Sequence, residues 1–354
     1  MENKYCIIMA GGIGSRFWPL SKQDRPKQFL DILGTGRSFI RSTFDRFNRL
    51  VPAENFLVVT NAAYRDLVLE ELPMLKPDQV LCEPMRRNTA PCIAFASYRI
   101  LSRCSDALIA VTPADHLVTN EAEFERTIAT GFDFLSQPGH RNALMTIGIK
   151  PSRPETGYGY IEVESGELKV ESGVVAVENF KEKPNLETAK QFVAAGNFFW
   201  NSGIFLWTLQ GILAAFRAYL PDMAALFESG AEKFGTDAEQ AFIDEKFAQC
   251  ENISIDYGVM ERAKERYTIP ADFGWSDIGT WGSLFEHSKH DDCENALRGR
   301  VLPVDCRHSV VNIEEGTTAI VEGLDNYLVA YRDHSLLVCR LDREQEIKNW
   351  VEKI

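Results

Sequence analysis

The chain has 354 residues, 45% of them hydrophobic, which is enough for one large domain with a buried core and a smaller one. Asp and Glu number 51 against 38 for Lys and Arg, giving a formal net charge of −13. This acidic balance argues against nonspecific binding to nucleic acids or anionic membranes, which need a basic surface. A small phosphorylated substrate is not excluded, because a few local cations suffice.

The eight cysteines are scattered along the chain, and no Cys-x-x-Cys pair occurs, so neither a zinc ribbon nor a thioredoxin-like site is indicated. Several lie in apolar runs and are interpreted as small core residues, which favours a reducing compartment. The first residues lack the hydrophobic segment of a signal peptide, and no apolar run approaches transmembrane length. We therefore expect a cytoplasmic protein.

A glycine-rich loop follows the first apolar run, Tyr5–Met9, which is predicted to be a buried strand. Glycine allows a ligand to approach the backbone closely, and exposed N–H groups at a strand end bind anions. Two cations, Arg16 and Lys27, add positive charge at its rim. The loop is therefore predicted to cradle phosphates through Ala10, Gly11, Gly12, Gly14, Ser15 and Arg16.

Two better-known glycine patterns do not fit this loop. A dinucleotide-binding turn would place a third glycine where Phe17 stands, and Trp18-Pro19 blocks an immediate helix. No Gly-x-x-x-x-Gly-Lys-Ser/Thr motif is present, so a P-loop nucleotide hydrolase is excluded. A plain strand-to-helix turn is disfavoured, because such a turn does not need both cations.

From Tyr5 to about Ile149, apolar runs alternate with helix-like segments, which predicts βαβ units and a mainly parallel sheet with helices on both faces. Ligands bind outside the carboxyl ends of such strands. The predicted strands are Phe56–Val59, Val80–Leu81, Leu108–Val111 and Leu144–Ile149. The predicted helices are Phe39–Leu50, Tyr64–Leu72, Ala90–Leu101 and Glu121–Leu135.

Two polar stretches follow predicted strands and are expected at that edge. The first, Cys82–Pro91, opens a helix with Asn88 or Thr89 as N-cap, and is either a solvated helix start or a nucleotide contact. Its candidate nucleotide-binding residues are Glu83, Arg87, Asn88 and Thr89.

The second stretch contains Asp115, whose carboxylate suits a magnesium ion because that ion binds carboxylates and substrate phosphates. The alternative for Asp115 is an Asx turn that caps the next helix.

A different pattern of alternating strands and a helix begins near residue 150. It contains a Gly-Tyr-Gly turn, a Glu-Lys-Pro triplet and a Trp-Asn-Ser-Gly stretch. Carboxylate and amide groups can bond sugar hydroxyls, and a lysine can contact a sugar phosphate. Each motif also has a plain interpretation as a turn, a solvated ion pair or core. The candidate sugar-phosphate residues are Gly157, Tyr158, Gly159, Glu182, Lys183, Asn201 and Asp256, the last weighed evenly against a helix cap.

Residues 209 to about 265 have amphipathic helical spacing, and a loop-like Phe-Gly-Trp-Ser-Asp-x-Gly cluster with Asp277 follows. Short β-rich runs then recur after about residue 295, without an isoleucine-led hexapeptide repeat. We predict two domains, residues 1–294 and 295–354, the second a small all-β module with a helical tail.

In this order the motifs resemble the sugar-phosphate nucleotidyltransferase family, from Gly-Gly-x-Gly-x-Arg and Pro-Lys through Arg-Asn-Thr-Ala-Pro to the Asp277 cluster. The Arg-Asn-Thr-Ala-Pro loop is similar to the guanine-binding version in mannose-1-phosphate guanylyltransferases. The resemblance implies a Rossmann-like domain and transfer of GMP from GTP to mannose 1-phosphate. It also implies a divalent metal, Mg²⁺ or Mn²⁺, held by Asp115 and Asp277, with Arg16 and Lys27 acting on the phosphates.

The resemblance further implies a short monofunctional form whose β-helix-like C-terminal module joins two subunits. Two alternatives stay open. The protein is a guanylyltransferase for another sugar 1-phosphate, or a non-catalytic subunit that senses nucleotide sugars. A sensor would be expected to lose a metal aspartate or the Arg16 and Lys27 pair, and this chain keeps them all.

Overall fold

The apolar runs near the N-terminus form the central strands of a sheet in the computed structural model, which describes residues 3–12, 14–164 and 173–354. Its strands up to Ser276 are β1 (Lys4–Met9), β2 (Phe56–Asn61), β3 (Val80–Glu83), β4 (Leu108–Pro113), β5 (Leu117–Val118), β6 (Leu144–Ile149), β7 (Tyr160–Val163), β8 (Val175–Lys181), β9 (Phe198–Thr208), β10 (Arg266–Ala271) and β11 (Trp275–Ser276).

The helices are α1 (Phe39–Phe47), α2 (Arg65–Glu71), α3 (Thr89–Leu101), α4 (Glu121–Leu135), α5 (Leu186–Ala195), α6 (Leu209–Tyr219), α7 (Pro221–Glu228), α8 (Glu239–Lys246), α9 (Trp281–Glu286) and α10 (Ile347–Val351). The strands after α9 are β12 (Ala296–Arg298), β13 (Arg300–Val304), β14 (Val310–Ile313), β15 (Thr318–Glu322), β16 (Tyr327–Arg332) and β17 (Ser335–Arg340).

The described residues fall into two compact units. Unit 1 comprises residues 1–11, 44–114 and 118–275, and unit 2 comprises residues 12–43, 115–117 and 276–354. This division differs from the predicted boundary after residue 294. That boundary, and the dimerisation role of the C-terminal part, stay predictions.

Unit 1 contains a nine-stranded sheet in the order β3-β2-β1-β4-β9-β6-β10-β8-β7. Strands β1 to β4 pair in parallel, as do β6 and β10, whereas β9 runs antiparallel to both β4 and β6. The central strands are buried along their length, as expected where helices cover both faces of a sheet. The predicted mixed, mainly parallel α/β sheet is confirmed.

Local sequence explains where the helices of unit 1 begin. The side chains of Asn88, Asn120 and Asn185 cap α3, α4 and α5, each accepting a hydrogen bond from a backbone N–H in the first turn of its helix. Helix α5 ends at Gly196, whose φ of +77° glycine adopts without steric cost. The predicted helical stretch from 209 to 265 is broken into three α-helices and a π-helical turn, Asp256–Met260.

Unit 2 contains a four-stranded sheet in the order β12-β14-β16-β17 and a two-stranded sheet of β13 and β15. The pairs β12–β14, β14–β16 and β13–β15 are parallel, which is the arrangement of a small β-helix. The predicted all-β module is therefore confirmed, although β12 and β13 were not predicted. The helical tail is a 3₁₀ turn, Leu341–Glu346, followed by α10.

An apolar cluster joins the N-terminal and C-terminal segments of unit 2. It contains Phe17 and Phe39 near the glycine loop, Trp281 in α9, Leu328 in β16 and Ile347 in α10. The rings of Phe17 and Trp281 lie 5.3 Å apart. The segment that follows the glycine-rich loop therefore shares a hydrophobic core with the C-terminal strands. Among the described residues, no helix is long and apolar enough to cross a membrane.

Candidate active site

A buried lysine is the centre of the charged cluster in unit 2. Lys27 is 3% exposed, and its Nζ lies 3.1 Å from Asp115 Oδ2 and donates to the Asp277 carbonyl oxygen at 2.6 Å. The ammonium also lies 5.0 Å from the ring centroid of Phe39. A buried ammonium needs such partners, because an unpaired charge away from water is costly. One cation thus contacts both predicted metal-binding aspartates.

The same lysine decides the electrostatics of Asp115. Desolvation alone would raise the pKa of this carboxyl, but the charges of Lys27 and His116 and the hydrogen bond from Lys27 hold the pKa below its usual value. Asp115 is therefore ionised near neutral pH, with its side chain 32% exposed. A partly exposed, ionised carboxylate can ligate a hard cation.

Gly14 must lack a side chain because Lys27 lies against it. Its φ is +66°, and a Cβ there would lie 2.5 Å from Lys27 Cβ and 3.0 Å from Ser21 Oγ. By contrast, a Cβ at Gly11 or Gly12 would meet nothing within 4 Å. The chain itself therefore leaves open space at these two positions.

The rest of the loop is fixed by backbone contacts. Thr60 Oγ1 donates to the Ala10 carbonyl at 2.8 Å, and Gln28 Nε2 donates to the Gly12 carbonyl at 3.0 Å. Ser15 begins a 3₁₀ turn that ends at Phe17, and the Arg16 side chain is exposed. Sequence reasoning missed Gln28, although it stands directly beside Lys27.

Five sugar-site candidates come together in unit 1. Asn201 Nδ2 donates to Asp256 Oδ1 at 2.8 Å, and its backbone N–H donates to the Gly159 carbonyl. Lys183 Nζ lies 2.7 Å from Glu182 Oε1, while Glu182 Oε2 is buried without a hydrogen-bond partner in the described part of the chain. The predicted set is thus a connected polar cluster.

Two carboxyl groups of this cluster affect each other. Desolvation and the neighbouring Glu182 charge raise the pKa of Asp256 to about 7, against partial compensation by Lys183 and Asn201. A Cβ at Gly159 would lie 2.5 Å from Glu182 Oε2, so this glycine makes room for the carboxylate. Asp256 opens a π-helical turn, a feature frequent at functional sites.

The other two sugar-site candidates flank the cluster. Tyr158 packs edge-on against Trp200 at 5.2 Å and Trp275 at 5.3 Å, and its carbonyl accepts from the Lys183 backbone N–H. Gly157 donates its N–H to the Glu155 carboxylate. Sequence reasoning missed Thr146, whose hydroxyl donates to Asn201 Oδ1 at 2.7 Å and orients that amide.

The four nucleotide candidates of unit 1 lie around the start of α3. Asn88 has a φ of +67° and caps the helix, as predicted. Thr89 Oγ1 accepts from the Ile255 backbone N–H, next to Asp256, and Arg87 donates to the Ala248 carbonyl. Burial raises the pKa of Glu83 to about 8, and its Oε1 is buried without a partner among the residues described.

Comparison with known proteins agrees with this architecture. The model of the nucleotidyl transferase family matches residues 5–294. The chain belongs to the nucleotidyl transferase family.

Among similar proteins, the xanthan biosynthesis protein XanB of Xanthomonas campestris pv. campestris is 38% identical over 358 residues, which cover 100% of this chain and 74% of XanB. A mannose-1-phosphate guanylyltransferase of Escherichia coli K12 is 37% identical, covering 99% of this chain and 73% of the relative. A crystal structure of a mannose-1-phosphate geranyltransferase from Thermus thermophilus superposes with a TM-score of 0.87, at 30% identity, and covers 99% of both chains.

Substituting the two loop glycines should separate folding from ligand binding. Gly14→Ala forces a side chain against Lys27 and into left-handed backbone, so we expect a destabilisation of about 1–3 kcal/mol. Gly12→Ala meets no atom, so its melting temperature should equal that of the wild type. If phosphates approach this backbone, the KM for a nucleoside triphosphate should rise at least about tenfold. An unchanged KM would contradict phosphate binding at Gly12.

Asp256→Asn should stabilise the unliganded protein in a pH-dependent way. The pKa of Asp256 is raised on folding, so the folded state holds the proton between about pH 4 and 7, and stability falls as pH rises through that window. The variant should therefore melt at least about 2 °C above the wild type at pH 8, and by a clearly smaller margin at pH 5. The exposed Asp222→Asn serves as control, and equal shifts at both pH values would refute this account of Asp256.

Proposed function

We propose that the protein transfers GMP from GTP to mannose 1-phosphate, giving GDP-mannose and pyrophosphate. The observation that carries this proposal is the Lys27 ammonium on Asp115 and Asp277, within a nucleotidyl transferase that is 37% identical to a mannose-1-phosphate guanylyltransferase. An oxygen of the sugar phosphate attacks the α-phosphorus of GTP. The bond from that phosphorus to the oxygen bridging to the β-phosphorus breaks, and pyrophosphate leaves.

This reaction needs no general base, because the attacking oxygen is already deprotonated near neutral pH. Catalysis then rests on positioning and on neutralising charge. We propose that Lys27 contacts the α-phosphate. The negative charge of this phosphate would then neutralise part of the Lys27 charge, which Asp115 neutralises in the unliganded chain. The exposed Arg16 guanidinium is assigned to the departing pyrophosphate, supported by the loop from Ala10 to Ser15.

We assign a divalent ion, Mg²⁺ with Mn²⁺ as an alternative, to Asp115 and Asp277. The described residues contain no group of three or more His, Cys, Asp or Glu side chains arranged for a metal. Magnesium, however, is commonly held by one or two carboxylates with substrate phosphates completing the set. When bound, the ion would neutralise phosphate charge.

We assign recognition of the two organic groups to unit 1. The start of α3, with Glu83, Arg87, Asn88 and Thr89, is proposed to bind the guanine nucleotide. One oxygen of the buried Glu83 carboxyl has no hydrogen-bond partner among the described residues, and we propose that it bonds to the edge of the base. The cluster of Glu182, Lys183, Asn201 and Asp256, with the turn Gly157–Gly159, is proposed to bind mannose 1-phosphate. Its carboxylate and amide oxygens suit sugar hydroxyls, and Lys183 suits the phosphate.

The C-terminal strands of unit 2 support a homodimer. Apolar side chains stand in solvent on β13, β15 and β17, including Leu302, Ile320 at 71% exposure, Leu336 at 58% and Val338. Leu302 and Ile320 are register partners, so they share one face. A monomer rarely leaves such a patch uncovered, and we propose a second copy of the chain as its partner.

The eight free thiols support a reducing cytoplasmic location.

Pyrophosphate release from GTP and mannose 1-phosphate with Mg²⁺ is the direct test. We expect turnover with GTP to exceed that with ATP, UTP or dTTP, and mannose 1-phosphate to exceed glucose and heptose 1-phosphates. Preference for another sugar phosphate would support the first alternative, and no release by folded protein would support the sensor.

Asp115→Asn should lower kcat about a hundredfold, which corresponds to roughly 3 kcal/mol of transition-state stabilisation. The loss follows because the variant removes the carboxylate charge beside Lys27 and one proposed metal ligand. The exposed Asp272→Asn, five residues before Asp277, is the matched control and should retain full activity. Wild-type turnover by the Asp115 variant would remove this residue from the mechanism.

Ile320→Glu should convert the dimer to a monomer, as measured by sedimentation equilibrium, because a charge would replace the most exposed apolar side chain of the face. Leu186→Glu changes an exposed leucine on α5 of unit 1 and should leave the dimer intact. A wild-type protein that is monomeric throughout, or a dimeric Ile320 variant, would refute this interface.

A further inference from the structure

A carboxylate from the C-terminal tail binds the segment that follows Asp277. Glu344, in the 3₁₀ turn Leu341–Glu346, accepts a hydrogen bond from the Gly282 backbone N–H through Oε2 at 2.6 Å. Burial raises the pKa of Glu344, and the Gly282 and Trp281 backbone and the Thr280 side chain act to lower it. The Glu344 side chain therefore fixes the first turn of α9 from 62 residues away.

The segment held in this way is strained. Ile278 is completely buried and has a φ of +41°, a rare conformation for a β-branched residue. Strain of this kind persists where surrounding contacts fix the backbone. One fixed point is the Asp277 carbonyl, which accepts from Lys27 Nζ. Glu344 supplies a second, on the other side of Ile278.

The tail that carries Glu344 also packs with the 3₁₀ turn that contains Arg16, through Ile347 and Phe17. The Arg16 guanidinium lowers the pKa of Glu344, which burial otherwise raises, so the two charges interact. Ile347 of the same tail packs in the apolar cluster that contains Phe17 and Trp281. Glu344 thus contacts the segment that follows Asp277, while its tail packs with the turn that contains Arg16.

We propose that Glu344 is a positioning residue, which holds the 278–283 segment so that Asp277 meets the triphosphate correctly. The inference rests on the proposed function, because it places the triphosphate of GTP beside Asp277. A side chain that orients catalytic groups without touching substrate affects catalysis through geometry, and small displacements of this kind can cost up to about a hundredfold in rate.

The test compares Glu344→Gln with Glu352→Gln, a matched change at an exposed carboxylate of the same tail. The glutamine amide presents N–H groups toward donors, so hydrogen exchange at residues 281 and 282 should become at least about tenfold faster. We expect kcat to fall about 10- to 100-fold and the dissociation constant for GTP to rise about tenfold. The KM for mannose 1-phosphate should change less than about twofold, since its proposed residues lie in unit 1.

Glu344→Asp, which keeps the charge, should restore part of the exchange protection and of kcat, and it serves if the glutamine variant fails to fold. Unchanged exchange, or faster exchange with wild-type kcat and GTP affinity, would overturn the proposal. Failure of the proposed function would appear separately, as a wild-type protein without GMP transfer. In that case the exchange rates and the GTP dissociation constants of the two variants still decide whether Glu344 positions a GTP site.

Discussion

The structure of unit 2 depends on burying one ammonium group. Removing an unpaired charge from water costs several kcal/mol, so Lys27 must be surrounded by partners. Those partners come from Asp115 and Asp277, which lie 88 and 250 residues further along the chain. Three distant segments are thereby brought to one point, and Gly14 must lack a side chain for the lysine to fit. The requirement to satisfy one cation thus places the proposed catalytic groups.

The sugar cluster of unit 1 follows a different electrostatic rule. There two carboxyl groups, Glu182 and Asp256, stand close enough for the charge of one to raise the pKa of the other. Such repulsion opposes folding, and a single nearby cation, Lys183, offsets it in part. Groups that oppose stability are expected where function needs them, because binding a ligand can satisfy them later. Glu182 agrees with this view, because one of its carboxylate oxygens is buried without a hydrogen-bond partner in the described part of the chain.

Local patterns predicted the central strands of unit 1, because these strands are continuous apolar runs. Asp115 was placed by its position after a strand, whereas Asp277 was assigned through the family resemblance. The β-helix was harder to predict. Its paired positions, such as Val310 and Leu328, are 18 residues apart and carry no repeated isoleucine. Strands β12 and β13 are short and contain arginine and proline, which obscure a strand pattern.

The contact between Glu344 and Gly282 had no sequence signal at all, because a glutamate in a charged tail usually faces solvent. Yet this tail shares an apolar core with the segment that follows the glycine-rich loop, through Ile347, Phe17 and Trp281. A boundary drawn by composition assigns the tail to an accessory module, whereas packing assigns it to the segments that carry Arg16, Lys27 and Asp277. It follows that the stiffness of these proposed catalytic segments derives in part from residues after position 294. A change in the C-terminal strands would then alter catalysis by moving the backbone beneath the site.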